Sequence, residues 1–457
     1  MKKNRYLLAF LFALLLYNPA QKALSENFST VGKEFYFTFP PNYHNNMYSS
    51  SDFLRFGDSL YVFIAAQKPT KGTITYFDKN FNQKIVDFEI TDPSVPHKFA
   101  ITSVDNEMEG YQNFGVFSSA RENEKVLPRS FKVESDEEVS VFAHSQAETT
   151  SDAFNVYPVE SLGKEYLILS YYNDNLINEE RNRDQTTPSQ FVIVAPENNT
   201  QVSIYPSERT QRNNMIPQKI TMNEGDVYLV QAFYKWYDLF GGYDYNTRDL
   251  TGTKIKSSKP VAVFSGHQRT AIPVSRNSRD FLIEQMPPLK SWGNEAFVVP
   301  LSKPSNVSGQ DSIDDYFRVL AAQNSTEIYF NGIYQFDLDS GEYYEGKINQ
   351  SFHLEASKPV LTGTYKASED NLGDPFFILT PNIEQYANYF FFSNIQSYAG
   401  ESEALQDSIY DDQFITIISP EDNLPTIEIN DKDIDESGFI PIDTSGYFYK
   451  TFSVKDR

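Results

Sequence analysis

The sequence predicts an all-β protein built from tandem, sandwich-like units. Three observations carry that reading: a set of short motifs recurs in fixed order, segments between turns alternate apolar and polar residues with period two, and no stretch sustains a 3.6-residue apolar period with helix caps. A propeller of four-stranded blades is the competing closure for such repeats, and the residues leave both open.

The first motif in each unit is Gly-x-Glu ahead of an aromatic strand. It reads Gly32-Lys33-Glu34-Phe35, Gly163-Lys164-Glu165-Tyr166 and Gly293-Asn294-Glu295-Ala296-Phe297, with a degenerate fourth copy at Tyr386-Ala387-Asn388-Tyr389-Phe390. A proline, Pro158, Pro288 or Pro381, stands five residues ahead of each of the last three. An apolar strand follows, aligned as Tyr61–Ala65, Phe191–Ala195, Phe317–Ala321 and Phe414–Ile418. A turn rich in Asn, Asp, Pro or Gly then leads to Thr73–Tyr76, Gln201–Ile204, Glu327–Phe330 and Thr426–Ile429, so each pair reads as a β-hairpin.

Late in the units, Ser257-Ser258-Lys259-Pro260-Val261 matches Ser357-Lys358-Pro359-Val360, with Ser135-Asp136-Glu137-Glu138-Val139 at that place in the first unit. Proline is expected there at the mouth of a strand, where a missing N–H is tolerated. Ser130–Glu134 and Thr253–Lys256, just ahead, alternate with one face in and one out. Residues 402–411 are the place for a short helical turn. The expected division is a signal peptide over 1–25, β units over 26–161, 162–291 and 292–384, and a partial fourth unit over 385–457.

Composition narrows the function classes. The 457 residues carry 39 Lys plus Arg against 62 Asp plus Glu, a net charge of −23, so phosphate backbones and anionic lipid surfaces are repelled and nucleic acid is excluded as a partner. With no cysteine, disulfides, thiol nucleophiles and Cys-ligated zinc are excluded as well. At the N-terminus Lys2, Lys3 and Arg5 precede an apolar stretch from Tyr6 to Tyr17 and the small-residue site Ala23-Leu24-Ser25, the pattern of a secretory signal peptide. That stretch is shorter than the roughly 20 residues a spanning helix needs, and no transmembrane segment is expected. An exported chain without cysteine suits a bacterial exterior.

The run Gly252-Thr253-Lys254-Ile255-Lys256-Ser257-Ser258-Lys259-Pro260-Val261-Ala262-Val263-Phe264-Ser265-Gly266-His267, followed by Phe281–Pro288 and Trp292-Gly293, resembles the N-terminal region of IgGFc-binding proteins. Phe191–Ile204 and Asp314–Ile328 are similar to that family too. The resemblance implies a secreted binding or adhesive module of the kind found in mucus-associated animal proteins and large bacterial surface proteins. It brings no catalytic residues, and the absence of cysteine departs from the animal members.

The chemistry-bearing residues read mostly as structural. Ser265, His267 and Asp280 lie near one another in sequence but lack the Gly-x-Ser-x-Gly elbow of a hydrolase, so His267 is expected to be structural. Asp431–Gly438 alternates oxygen-bearing side chains, yet its glycine falls too late for a calcium loop and a solvated turn is expected; Asp311, Asp314 and Asp315 read the same way. No metal and no cofactor is expected. The insert 233–245 holds the densest aromatic cluster, and Trp236, Tyr237, Phe240 and Tyr243 are the candidate ligand-binding residues, a platform for a sugar ring or a protein anchor.

The resulting expectation is an exported, non-enzymatic protein that binds an extracellular protein or glycan at the cell surface or in the matrix. A secreted glycan-active enzyme, which needs two carboxyls about 5–10 Å apart in one cleft, is one alternative. A structural spacer within a larger surface protein is the other. Because 447–454 carries neither an edge proline nor a charged cap, the last unit is expected to continue in a longer chain or to be completed by a partner.

Overall fold

The computed structural model describes residues 28–43, 59–78, 80–101, 104–114, 117–147, 150–173, 187–233, 248–302, 313–369, 373–390, 413–429 and 432–453. Among them the first unit holds β1 (Val31–Phe37), β2 (Ser59–Ala66), β3 (Thr70–Phe77), β4 (Gln83–Ile90), β5 (His97–Ile101), the hairpin β6 (Tyr111–Phe114) and β7 (Phe117–Ala120), β8 (Val126–Pro128), β9 (Phe131–Ala147) and β10 (Thr150–Val156). The second holds β11 (Gly163–Leu167), β12 (Ser189–Val194), β13 (Thr200–Tyr205), β14 (Gln218–Met222), β15 (Asp226–Gln231), β16 (Lys254–Thr270) and β17 (Asp280–Gln285). The third holds β18 (Gly293–Val298), β19 (Asp315–Ala321), β20 (Thr326–Phe330), β21 (Ile333–Leu338), β22 (Tyr343–Ile348), β23 (Phe352–Tyr365) and β24 (Phe377–Thr380). β25 (Phe414–Pro420), β26 (Ile440–Pro441) and β27 (Tyr447–Ser453) close the chain's described part.

One wiring recurs three times, always antiparallel. The orders are β4-β3-β9-β2-β5, β14-β13-β16-β12-β15 and β21-β20-β23-β19-β22, and in each unit the first and last strands pair with the long central one. That long strand is shared by two layers, which makes the unit a curled sandwich and not a propeller blade. In β16, Lys254–Lys256 lies between β11 and β13, whereas Phe264–His267 lies between β12 and β17.

The Ser-Lys-Pro signature sits where the strand changes partners, and this corrects the expectation of a strand mouth. The ladder to β11 jumps from Glu165↔Lys256 to Gly163↔Val261, and the bulge between holds Pro260, which therefore owes no ladder N–H. Ser258 Oγ accepts the Gln201 N–H at 2.9 Å while the Lys259 ammonium donates to the Asn198 carbonyl at 2.8 Å. The third unit repeats both contacts, Glu327 N–H to Ser357 Oγ at 2.9 Å and Lys358 Nζ to the Asn324 carbonyl at 2.5 Å. The motif thus pins the turn that opens β13 and β20 to the corner of the long strand.

The same pairings correct two alignments. Gly32↔Val139, Gly163↔Val261 and Gly293↔Val360 set a common frame, in which Val62↔Ala143 matches Phe191↔Ser265 and Phe317↔Thr364. Val62, not Tyr61, is therefore the counterpart of Phe191. A one-residue slip reverses every side chain in a strand, so Leu60, Val62 and Ile64 enter the core while Tyr61 turns out to stack on His144, with ring centroids 5.6 Å apart. At the junctions, single 3₁₀ turns are capped by Pro158, Pro288 and Asn382, so Asn382 and not Pro381 completes that series. The motif glycines pack against these turns: a Cβ on Gly163 would lie 2.4 Å from the Pro288 Cβ.

In the C-terminal part, the expected hairpin of 414–418 with 426–429 does not form. β25 pairs with β27, and Glu421–Thr426 coils as a 3₁₀ segment that contains Pro425 and buries Leu424. Pro420 caps this turn and Pro425 sits inside it, and their fixed φ suits the coil that takes the place of the expected connection. Ile442 and Tyr447 pack against Phe297 and Val299 of the third unit. The helical turn expected over 402–411 lies outside the described residues.

Neighbouring units share cores. Val192, Val194, Leu229, Phe264 and Ile283 of the second unit join the first unit's cluster, while Phe191, Ile193, Val230 and Val263 join a cluster that takes in Leu320, Leu361 and Tyr365 of the third. β12 is thus buried on both faces, and its apolar run shows no polar alternation for that reason. β8, from the first unit's long connection, extends the second unit's sheet by pairing with β15.

Candidate functional site

The units differ most where β15 joins β16 and β22 joins β23. The former connection spans 232–253 and the latter only 349–351. In the second unit Leu169, Tyr171 and Leu250, from loops at that end, join the core that holds Tyr228, which is 4 % exposed. In the third unit the matching tyrosine, Tyr344, is 38 % exposed.

The open end of the third unit is aromatic. Phe317, Phe330, Phe336, Tyr344 and Phe352 form one contact network, with centroids 4.5 Å apart for Phe336–Tyr344 and 4.9 Å for Phe330–Phe352 and Phe317–Phe352. Phe317, Phe330, Tyr344 and Phe352, with Gly346, line a pocket of about 210 Å³ together with Asn331, Lys347, Asn349 and Gln350. Gly346 is required there, because a Cβ would lie 2.5 Å from the Phe317 ring. The lining is ordered by Asn331, whose side-chain oxygen accepts the His353 N–H at 2.8 Å and whose own N–H donates to the His353 carbonyl at 2.8 Å.

The candidates Trp236, Tyr237, Phe240 and Tyr243 lie outside the described residues, but the base of their insert is fixed. Asn173 donates its N–H to the Arg248 carbonyl at 2.8 Å and its side-chain amide to the Phe233 carbonyl at 3.1 Å, tying the insert's two ends together. The Arg209 guanidinium lies 3.6 Å from the Phe233 ring centroid and that of Arg248 lies 5.2 Å from it.

Ser265, His267 and Asp280 are not assembled for catalysis. His267 is fully buried, its Nδ1 accepts the Arg269 N–H at 3.0 Å, and burial holds its pKa down to about 3. Ser265 donates to the Gln190 carbonyl at 3.3 Å. Asp280 accepts the Ser151 N–H at 2.6 Å, and Asp152 accepts the Ile283 N–H at 3.0 Å. Glu284 accepts a backbone hydrogen bond from Leu379. These three acids each reach a strand of a neighbouring unit, so they bond exposed strand edges across the seam. Burial raises the pKa of all three, and that of Glu284 reaches about 8.

At the acidic turn near the C-terminus, the Lys450 ammonium donates to the carbonyls of Asp435 and Ser437 at 2.7 and 2.6 Å, occupying the place a cation would take. Asp315, expected in a solvated turn, is instead 1 % exposed at the start of β19. Its side chain accepts the N–H groups of Ala367 and Leu301. Sequence reasoning also missed Arg318, which is wholly buried between the second and third units. It bonds Asp249 at 2.6 Å and Glu345 at 2.8 Å, with the rings of Tyr171, Tyr172 and Tyr343 within 4.7 Å of the guanidinium. The available signal was a charge at the strand position that Val192 fills in the second unit.

Repeated curled β units with shared cores and an aromatic open end define the class: a tandem-repeat antiparallel β protein. Within that class the chain belongs to the IgGFc binding protein family, whose match covers residues 152–456. It is 24% identical over 282 residues to the human IgGFc-binding protein, an alignment that takes in 57% of this chain and 4% of that protein. The chain therefore spans a small part of that relative's length. Among solved structures, a tetra-tandem repeat in the extending region of a large adhesion protein aligns at 8% identity over 70% of this chain and 68% of that one, with a TM-score of 0.08.

Proposed function

We propose that the chain is an exported, non-enzymatic binding protein that holds an extracellular protein or glycan through the aromatic surfaces of its second and third units. The open aromatic end of the third unit carries this reading. A pocket lined by rings, three carboxamides and Lys347 suits either the C–H face of a sugar ring or an apolar side chain of a protein. The insert bearing Trp236, Tyr237, Phe240 and Tyr243 is the second proposed surface, and Arg209 and Arg248 pack on Phe233 where it begins and ends. Export rests on the N-terminal signal pattern over residues 1–25, and attachment at a cell surface is the finer proposal.

The human relative is named for binding the Fc of immunoglobulin G, which makes Fc the first ligand to test. This chain has no cysteine and matches a small part of that protein, so the panel extends to mucins, host glycans and the producing cell's envelope. Capture by the immobilised full chain should fall about tenfold or more in a Tyr344→Ala variant, or in a Trp236→Ala/Tyr237→Ala one, with the melting temperature kept. Capture untouched by both variants defeats the reading, as does turnover of any polysaccharide in the panel.

A further inference from the structure

Ser189 faces His267 across β12 and β16. At the matched place in the third unit, one step beyond the Tyr316↔Tyr365 pair, Asp315 faces Lys366. Residues opposite each other in an antiparallel pair hold their Cβ atoms within about 4.5–5.5 Å on one face of the sheet. Asp315 is 1 % exposed, Lys366 2 % and Glu369 0 %. The Lys366 ammonium stands 3.2 Å from Glu369 Oε1 and 3.9 Å from Asp315 Oδ1. The Asp315 carboxyl is fixed at both oxygens, by the Ala367 N–H at 3.0 Å and the Leu301 N–H at 3.2 Å. Ser368, between Lys366 and Glu369, is tied to Ile272 of the second unit through its N–H and its hydroxyl, and Arg276 donates to its carbonyl.

The geometry points to a covalent amide between Lys366 Nζ and Asp315 Cγ, an intramolecular crosslink that the protein forms by itself with Glu369 as proton carrier. Burying an ammonium between two carboxyls carries a desolvation penalty, and condensation removes two of those charges together. A lysine amine becomes a nucleophile once a neighbouring carboxylate has taken its proton, and Glu369 stands within reach to do so. Glu369 passes that proton to Asp315, leaving a neutral amine and a neutral acid. The Nζ lone pair then attacks Cγ and the Nζ–Cγ bond forms. Of the Ala367 N–H on Oδ1 and the Leu301 N–H on Oδ2, the one on the oxygen that stays stabilises the oxyanion that develops, and the other oxygen departs. Glu369 moves a second amine proton to the departing hydroxyl, the Cγ–O bond breaks, water leaves, and Glu369 ends as it began. No oxidant or cofactor enters this balance. Fixing the two groups in one site supplies an effective molarity on the order of 10⁵–10⁸ M. The product would staple residue 315 to residue 366 in a chain that has no cysteine for a disulfide.

The test is the denatured intact mass of the purified full chain, compared with the mass from its own sequenced N-terminus. The protein should be lighter by one water, and digestion should release a branched peptide joining the segments around Asp315 and Lys366. Lys366→Arg and Glu369→Gln should restore the sequence mass, whereas Asp315→Asn should give the same branch with loss of ammonia in place of water. A folded wild-type chain at its full sequence mass overturns the proposal, whatever the variants do. A mass loss retained in Glu369→Gln overturns the role given to Glu369.

Discussion

Tyr228 and Tyr344 hold the same position in two copies of one unit, yet the first is sealed in a core and the second opens to solvent. The strands around them pair alike. What differs is the connection before the long central strand, 232–253 in the second unit and 349–351 in the third. In the second unit Leu250, from that connection, is buried in the same core cluster as Tyr228, whereas the third unit's short turn offers only the polar Asn349 and Gln350 beside the pocket. Connection length, more than strand composition, decides which unit of this repeat keeps an accessible aromatic end.

The contrast can be broken first at the junction that joins the two units. Arg318→Ala leaves Asp249 buried without its cation and should lower stability by about 3–5 kcal/mol in chemical denaturation. A loss under about 1 kcal/mol would mean the junction is solvated and the two units move independently. Next, Tyr228→Ala should cost about 3–5 kcal/mol, as for other buried aromatic truncations. Tyr344→Ala should stay within about 1 kcal/mol. Equal losses would erase the distinction between a closed and an open end.

The seam acids sharpen the comparison through pH. The folded pKa of Glu284 is raised from 4.5 to about 8, so the folded chain holds a proton that the unfolded chain releases. Its contribution is fully present below about pH 4.5 and is lost as pH rises through about 8. Melting temperature should therefore fall on going from pH 6 to about pH 9, and Glu284→Gln should flatten that fall; an identical slope in the variant would move the cause elsewhere. The smallest stability effect is expected at the insert, where Trp236→Ala/Tyr237→Ala should leave the melting temperature within about 1 °C while weakening capture. A large drop would place those rings in a core.

The repeat was legible because its motifs are local: glycine against the junction turn, serine and lysine at the corner of the long strand, asparagine in the turn they hold. Register in the first unit was not. Tyr61-Val62-Phe63-Ile64 is apolar at every position, so either phase satisfies the pattern, and only the partner strand selects one. The same ambiguity hid the proline's place, since a bulge in mid-strand and a strand mouth both spare an N–H.

By itself, the sequence determined the all-β class, the order of the repeated pieces and the kinship with a binding-protein family, because turn chemistry and alternation act over a few residues. Tertiary structure alone decided which apolar face meets which neighbour, why Arg318 is buried among tyrosines, and that Asp315, Lys366 and Glu369 share one dry site. Those outcomes depend on pairs far apart in the chain or placed by strand register, and charge that reads as solvated in one dimension becomes buried once two units close over it.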